Sequence, residues 1–420
     1  MNFSLDAFPI NKSILENNDY NGQMLFSSIS DPLFRFNGNT IVPYACKQYY
    51  VSKDGKKHSF ILRDDLFFSD GKKVTATDYL NSINYLLHSE TPLALLLSNI
   101  SSLSADKLSL KINLKRSDFQ FYKILSRINF TPCRKRKTSG LYEIQSYKND
   151  KIRLIPNTFN RNFRKDLHNL TFLLITDPKT ELRLFEKNKL DFTSNTSFRH
   201  TDLEKYINKI QKYPNFITMS LTFINKDLLH PKHLKLRRTI LSSINRTKIA
   251  DLFNNMFSPT DNYFIDGNKN DLHTPKKNNL NQNITIGYDD FYPNKEILDI
   301  IKQQLAECGI NITLIKDDFY KPKYNYDIKL SLYFPDYIDN SAFYRSAYFN
   351  ALINFAGKNN LYFKILQNKL YKPKTSMSTL KLLNKLLLKH ALIIPLFSMN
   401  SIYLSNCRLF SFQKLNFESI

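Results

Sequence analysis

Glycine, cysteine and tryptophan are scarce in this chain. Its 420 residues include 9 glycines, 4 cysteines and no tryptophan. The cysteines lie far apart and form no CxxC pair, so neither a zinc site nor a dense disulfide framework is expected. They are Cys46, Cys133, Cys308 and Cys407. One long-range disulfide stays open at this point.

Catalytic and phosphate-binding motifs are also missing. The sequence contains no GxSxG, no HExxH and no glycine-rich phosphate loop. We therefore expect a protein that is not an enzyme and needs no cofactor. His230 and His233 form an HxxH pair, but Pro231 between them disfavours a helical pair of metal ligands. We expect no metal site there, and metal binding by this pair is the alternative.

Long apolar segments and an export leader are absent from the printed sequence. The N-terminus shows no basic segment followed by an apolar one. The longest apolar runs, around Leu93–Leu97 and Ala391–Phe397, are too short to span a bilayer. A soluble chain without its own export signal is expected. A removed leader, a misassigned start and action in the cytosol are the three explanations.

The composition is that of a folded basic protein. Hydrophobic residues make up 42% and aromatic residues 14%, and the formal net charge is +23. A chain of this length is expected to form two or three lobes. The positive residues are dispersed, and the one compact block is Arg134–Lys137. Because no nucleic-acid-binding motif accompanies it, we interpret this block as a solvated loop.

The opening third predicts a strand meander that leads into an amphipathic helix. Asp54-Gly55 and Asp70-Gly71 supply the positive φ angles of tight turns. The runs around them predict short strands at Tyr49–Val51, His58–Arg63 and Leu66–Phe68. Thr75 is placed to cap the next helix, with Asp78 in its first turn. The predicted buried face of that helix consists of Tyr79, Ile83, Leu86 and Leu87.

The remainder mixes strands and helices. Strands are predicted for KIRLIP, NLTFLLIT, FITMSLTFIN, NITIGYDD, INITLIKDD, DIKLSLYF and IIPLFSMNSIYLS. Helices are predicted from Asp177-Pro178, over residues 232–254, from Asn294 to Gly309, and over Leu380–His390. The strand–helix–strand order of NITIGYDD, the helix ending at Gly309, and INITLIKDD predicts a parallel crossover.

These segments resemble, in order, the solute-binding proteins of peptide and nickel ABC transporters. The similar segments are SLDAF, residues 27–83 (SSISDPLF to TATDYLNSI), TSGLYEIQSYKNDKIRLIPNTFN, LFEKNKLDF, LTFINKD with LKLRRTILSSINRTKI, YDIKLSLYFPDYIDN and ALIIPLF. The chain departs from the usual pattern at Leu141, Asn245 and Asn340, where the family has Pro, Asp and Pro. These departures put fine ligand specificity in doubt more than the fold.

The resemblance implies an α/β protein with two lobes, a hinge and an extra subdomain, as in periplasmic binding proteins of the large type. Lobe I would comprise residues 1–32, 141–220 and 394–420. The extra subdomain would be residues 33–140, and lobe II residues 221–393. The capped helix and its meander would then be scaffold. A monomer is expected.

The resemblance further implies that the protein binds peptides between its lobes and delivers them to ABC transporter permease subunits. Asp336 matches the acid that pairs with a peptide's free ammonium, and Tyr333 matches an aromatic residue of the cleft. Asn18 and Tyr20 lie in another lining segment. By resemblance the protein would be periplasmic or at the cell surface.

Two other functions compete with transport. A cytosolic sensor with a similar binding domain would also lack a leader. Direct nucleic-acid binding through the high charge is the other, and we expect no nucleic-acid partner. Neither the identity of the ligand nor a cation for its carboxylate stands out from the sequence.

Overall fold

A computed structural model describes residues 1–37, 40–194, 201, 204–254, 256–264, 272–274, 280–356 and 361–406. Cys407 lies outside the described residues. The described strands are β1 Asn2–Leu5, β2 Phe34–Asn37, β3 Thr40–Pro43, β4 Cys46–Val51, β5 Lys57–Leu62, β6 Ile100–Asp106, β7 Ser109–Leu114, β8 Tyr142–Tyr147, β9 Lys151–Pro156, β10 Leu170–Leu174, β11 Ile210–Phe223, β12 Phe257–Pro259, β13 Gln282–Asp289, β14 Ile310–Asp317, β15 Ile328–Tyr333 and β16 Ile393–Leu404.

Short and medium helices connect these strands. The described α-helices are α1 Tyr20–Ser27, α2 Ala76–Leu87, α3 Pro92–Leu97, α4 Pro178–Glu186, α5 Leu234–Ser243, α6 Arg246–Leu252, α7 Asn294–Ala306, α8 Ala342–Arg345, α9 Ala347–Ala356, α10 Leu361–Lys369 and α11 Met377–His390. Short 3₁₀ helices cover Phe121–Ser126, Ile128–Phe130, Glu204–Tyr206, Lys226–Leu229 and Pro231–His233.

The meander predicted near the N-terminus forms a four-stranded antiparallel sheet in the order β4-β5-β7-β6. One face of this sheet is apolar because alternate residues such as Phe60, Leu62, Leu110 and Ile112 point inward. Helix α2 covers that face with its buried Tyr79, Ile83 and Leu86, while Leu87 is half-buried. The sheet and helix share one hydrophobic core.

The capping of α2 follows the predicted pattern. The Asp78 carboxylate accepts the Thr75 backbone N–H and the Thr75 hydroxyl, each at 2.8 Å. Gly55 and Gly71 have φ values of +67° and +78°, as the two Asp-Gly turns require. The predicted strand at Leu66–Phe68 is wrong. Only an isolated bridge between Phe67 and Lys73 forms there, because the segment turns at Asp70-Gly71 before it can pair further.

The second half of the chain contributes to a six-stranded sheet in the order β12-β16-β11-β15-β13-β14. β13 and β14 run parallel over their whole lengths, with Gln282 opposite Ile310 and Asp289 opposite Asp317. The predicted crossover through α7 is therefore confirmed. The continuous helix predicted over residues 232–254 is wrong. It is divided into α5 and α6, because Asn245 leaves helical geometry and caps α6 by accepting the Lys248 N–H at 2.8 Å.

Two long antiparallel strands connect separate hydrophobic cores. β11 and β16 pair from Ile210–Leu404 to Thr222–Ile393. At one end, Leu404 packs with Phe185 and Leu190. At the other, Leu221 and Ile394 belong to the large core of the six-stranded sheet. These strands thus pass from one packed body of the protein to the other.

A third sheet, in the order β1-β10-β9-β8, surrounds a core of stacked aromatic rings. The Phe3 ring lies 5.0 Å from Phe172 and 4.8 Å from Phe192, centroid to centroid. β2 and β3 form a separate hairpin. Cys46, Cys133 and Cys308 are free thiols, so the disulfide that the sequence left open does not form among the described cysteines.

The basic block forms an exposed turn, as expected for a solvated loop. Arg134 and Lys137 exchange backbone hydrogen bonds of 3.0 and 2.8 Å. Lys135 and Arg136 occupy the turn with positive φ angles and are exposed. The Arg134 guanidinium packs over the Phe68 ring at 4.5 Å from its centroid.

Candidate functional site

A buried ion pair joins two segments that are 209 residues apart in sequence. Nη1 of Arg127 donates a hydrogen bond to Oδ1 of Asp336. The two side chains are only 6% and 15% exposed. Arg127 lies between two short 3₁₀ helices, and Asp336 follows the end of β15 by three residues. The predicted ligand-binding acid thus already has a cation as its neighbour.

Two asparagines fix the orientation of the Arg127 guanidinium. Nη2 of Arg127 donates to Oδ1 of Asn18 at 3.0 Å, and Nε donates to Oδ1 of Asn129 at 3.2 Å. Three acceptors on three different side chains therefore use the planar fork of donors that arginine presents. Asn18, one of the predicted lining residues, meets Asp336 through this shared guanidinium.

Asn129 also attaches the early loop to this site. Its Nδ2 group donates to the backbone carbonyls of Ile14, Leu15 and Asn17 at 2.9, 3.2 and 2.7 Å. Asn129 is fully buried. One amide thereby holds both the loop that carries Asn18 and the guanidinium that Asn18 contacts.

Tyr20 approaches the same region from the start of α1. Its ring makes an edge contact with Phe334, with centroids 5.7 Å apart. Asp19 caps this helix by accepting the Gly22 N–H at 2.7 Å. Since Phe334 immediately follows β15, Tyr20 and Asn18 both face the segment that carries Asp336.

Tyr333 packs against two other aromatic rings. Its ring makes edge contacts with Phe343 and Tyr263, at centroid distances of 4.9 and 6.2 Å. Burial raises the pKa of Tyr333 well above its usual value. Its hydroxyl meets no partner at hydrogen-bonding geometry among the described residues. The hydroxyl lies close to the Asp336 backbone, so it faces the same part of the site as the Asp336 carboxylate.

Burial and charge act in opposite directions on Asp336. Burial raises the pKa of this carboxyl, and the Arg127 guanidinium partly offsets that rise. A carboxylate taken out of water in this way needs a cation beside it to stay ionised. The site is accordingly built to hold a positive group against Asp336.

Two further ion pairs join the same two segments. Lys123 pairs with Asp339, and Arg345 pairs with Asp118, with Nη2 and Oδ2 2.6 Å apart. As residue numbers rise from Asp118 through Lys123 to Arg127, the numbers of their partners fall from 345 through 339 to 336. The segments 118–127 and 336–345 therefore run in opposite directions, with three ion pairs between them, which we call the ion-pair ladder.

Sequence reasoning identified one side of this site and missed the other. Asp336, Tyr333, Asn18 and Tyr20 all lie around it, and their contact with a ligand stays a prediction. Arg127 and Asn129 were missed, and the ladder with them. The available signal was an arginine within ILSRINF, a stretch with four large apolar residues, because an arginine in such a setting is buried only with partners.

The HxxH pair makes other contacts. Nε2 of His233 lies 3.0 Å from Oδ2 of Asp227, and the His230 carbonyl accepts a hydrogen bond from Arg237 at 2.9 Å. Within the described ranges, no group of three or more His, Cys, Asp or Glu side chains is arranged to hold a metal ion.

The described helices include none with both the length and the apolar character needed to cross a bilayer.

Sequence comparison with known proteins matches this chain to solute-binding proteins. The model of the middle part of the bacterial extracellular solute-binding proteins, family 5, matches residues 40–355. The nickel-binding periplasmic protein of Escherichia coli is 29% identical over 128 residues, which is 29% of this chain. That alignment spans 24% of the nickel-binding protein, less than two thirds of its length.

Solved structures match over almost the whole chain. The murein tripeptide binding protein of Escherichia coli superposes with a TM-score of 0.82 at 17% identity, covering 96% of this chain and 93% of that one. OppA of Haemophilus influenzae, in complex with RPPGFSPFR, gives a TM-score of 0.81 at 16% identity, covering 96% and 94%. These likenesses confirm the predicted two-lobed α/β fold. On the match over residues 40–355, the chain belongs to the bacterial extracellular solute-binding proteins of family 5.

Proposed function

We propose that this protein is the substrate-binding component of an ABC transporter and that it binds peptides between its two lobes. Family membership supports the receptor role. Two proteins of the same fold bind peptides: a murein tripeptide binding protein, and a receptor in complex with RPPGFSPFR. The family's description as extracellular favours this function over a cytosolic sensor.

The observation that carries the proposal is the buried carboxylate of Asp336, which pairs with the Arg127 guanidinium in the structure. A peptide's free ammonium is a cation that can take this position, because it carries one positive charge and three N–H donors. Tyr333 contributes a hydroxyl that is buried beside the Asp336 backbone. Asn18, which contacts Arg127, and Tyr20, which contacts Phe334, would line the ligand from the early loop.

The lobe division follows the boundaries that the sequence suggested. Lobe I comprises residues 1–32, 141–220 and 394–420, the extra subdomain residues 33–140, and lobe II residues 221–393. Three separate hydrophobic cores support a division into these bodies, although the largest core also includes Met219, Ile394 and Phe397, and the subdomain core also includes Tyr337 and Ala342. Closure around a ligand needs contacts from both lobes, because a ligand favours the closed state only by binding it better.

The partners and location follow from the same role. The ligand-loaded protein acts as a monomer outside the cytoplasmic membrane and delivers its peptide to permease subunits. It catalyses no reaction. Family membership supports this role, this location and the absence of catalysis, because the family consists of extracellular solute-binding proteins.

Thermal unfolding with defined peptides tests the proposal. A mixture of di-, tri- and tetrapeptides with free termini should raise the melting temperature of the wild-type protein. Asp336→Asn should weaken binding by about 30-fold or more, because a buried charge loses its partner. Asp166→Asn, at a carboxylate that is 79% exposed, is the matched control and should bind like the wild type.

Mass spectrometry of molecules that copurify with the native protein complements this test. Recovery of peptides would support the proposal. A melting temperature that no peptide shifts, together with a preparation free of bound peptide, would contradict it.

A further inference from the structure

Arg127 already occupies the position that the proposed function gives to a ligand's ammonium. Its Nη1 group contacts Oδ1 of Asp336 directly, and the Arg127 side chain is 6% exposed. An exposed surface pair could exchange with solvent at little cost. This pair is buried, so a ligand that binds the Asp336 carboxylate must also displace Arg127 from it.

Displacement by an ammonium alone is unfavourable. If a ligand's ammonium pairs with Asp336, Arg127 loses the carboxylate in this pair. Asn18 and Asn129 remain as acceptors, but their amides are neutral. A buried arginine without a counter-charge is strongly destabilising. A ligand that supplies an anion to Arg127 removes this penalty.

The ion-pair ladder limits how far apart the ligand's two charges can lie. Arg345 and Asp118 are each 3% exposed and lie in contact at 2.6 Å. Lys123 and Asp339 form a second pair between the same two segments. Gln120 adds hydrogen bonds to the Lys372 carbonyl at 2.8 Å and to Thr375 Oγ1 at 3.1 Å. With these contacts in place, Arg127 and Asp336 can separate by only a short span.

We propose that Arg127 determines specificity by requiring an anionic group close to the ligand's ammonium. This inference rests on the proposed function. The ligand exchanges the internal Arg127–Asp336 pair for two pairs of its own: its ammonium binds Asp336, and its anion binds Arg127. An extended dipeptide spans about 7 Å, so a dipeptide with free termini meets the requirement. A longer peptide does so when its first or second residue is acidic.

Matched peptides separate this requirement from general peptide binding. The first comparison is Ala-Ala against its C-terminal amide, and the second is Asp-Ala-Ala-Ala-amide against Asn-Ala-Ala-Ala-amide. Affinity is measured by calorimetry on the full chain. For the wild type we expect the anionic member of each pair to bind at least about tenfold more tightly.

Arg127→Gln tests whether this residue is the source of the preference. Glutamine keeps hydrogen-bond donors without the charge, so both pairs should bind within about threefold of each other. Arg127→Lys keeps the charge and should retain the preference. Both variants must first show a cooperative thermal transition, and the lysine variant serves as the second reading if the glutamine variant is unfolded.

The outcomes are distinguishable from failure of the proposed function. Equal binding of acid and amide to the wild type would overturn the role of Arg127 and leave peptide binding intact. If Arg127→Gln still prefers the anionic peptides, the role of Arg127 is also overturned, because another cation must then bind the anionic group. If no peptide with a free ammonium binds, it is the proposed function that fails.

Discussion

Nη2 of Arg345 lies 2.6 Å from Oδ2 of Asp118, and each side chain is 3% exposed. The Asp118 carboxylate also accepts the Gln120 N–H at 3.0 Å. Arg345 begins the ladder at the end that lies farthest from Asp336. The pair joins the subdomain of β4–β7 to the segment that follows β15.

Breaking this pair on one side should destabilise the protein. Asp118→Asn leaves the Arg345 guanidinium buried without its counter-charge, so we expect a loss of about 3–5 kcal/mol in the free energy of unfolding. Urea unfolding followed by circular dichroism measures this. Asp65→Asn, in a pair with Arg63 that is 41% exposed on each side, should change stability by less than about 1 kcal/mol. Equal effects of the two substitutions would contradict the prediction.

Glu181 should make stability depend on pH. This side chain is fully buried, and burial raises its pKa from 4.5 to about 7, partly offset by hydrogen bonds from Ser4 and Ser194. Between these two pKa values the folded state binds a proton that the unfolded state has lost. The free energy of unfolding therefore falls by about 1.4 kcal/mol per pH unit as the pH rises through this window.

Glu181→Gln should remove this component, so that the wild type loses stability relative to the variant between pH 4.5 and 7 and not above. Denaturant titrations at half-unit pH steps give the difference. Glu186→Gln is the control, because hydrogen bonds from Lys205 and Tyr206 lower the pKa of that exposed carboxyl. If the difference in free energy of unfolding between the wild type and Glu181→Gln does not change with pH, the raised pKa of Glu181 is refuted.

Gly140 should tolerate no side chain. A Cβ atom there would lie 2.2 Å from the carbonyl carbon of Ile29 and 2.5 Å from the Ser30 nitrogen. Both are backbone atoms, so Gly140→Ala should cost about 3 kcal/mol or more in stability. At Gly71, alanine would meet the exposed Phe159 ring and a φ of +78°, with an expected cost of about 1–2 kcal/mol. Urea midpoints in the opposite order would contradict the packing argument.

The thiols should differ in reactivity. Burial raises the pKa of Cys46 to about 12, and this residue is 1% exposed. Cys133 is half-buried, and burial raises its pKa as well. In a Cys407→Ser background at pH 8, a disulfide reagent should modify Cys133 before Cys46, since the thiolate reacts. Cys133→Ser should remove the fast phase, and a fast phase that survives would refute this order.

The correct and incorrect predictions have a common physical basis. Asp-Gly turns, the Thr75–Asp78 cap and the apolar face of α2 depend on residues within a few positions of one another, so the sequence pattern reveals them. The error at Leu66–Phe68 arose because a strand needs a partner, and β-propensity does not show whether one is present. The break between α5 and α6 was missed because the helical spacing of apolar residues continues across it, although Asn245 favours a cap over a helix interior.

Local periodicity, turns and caps predicted the individual strands and helices, and the resemblance of these segments, in order, to the solute-binding proteins of peptide and nickel ABC transporters predicted the two-lobed fold. The same resemblance singled out Asp336. Only the tertiary structure revealed which cation meets it, since Arg127 lies 209 positions away. No local pattern encodes a contact over that distance. It arises when the segments 118–127 and 336–345 pack in opposite directions, and burial then forces their charges to pair.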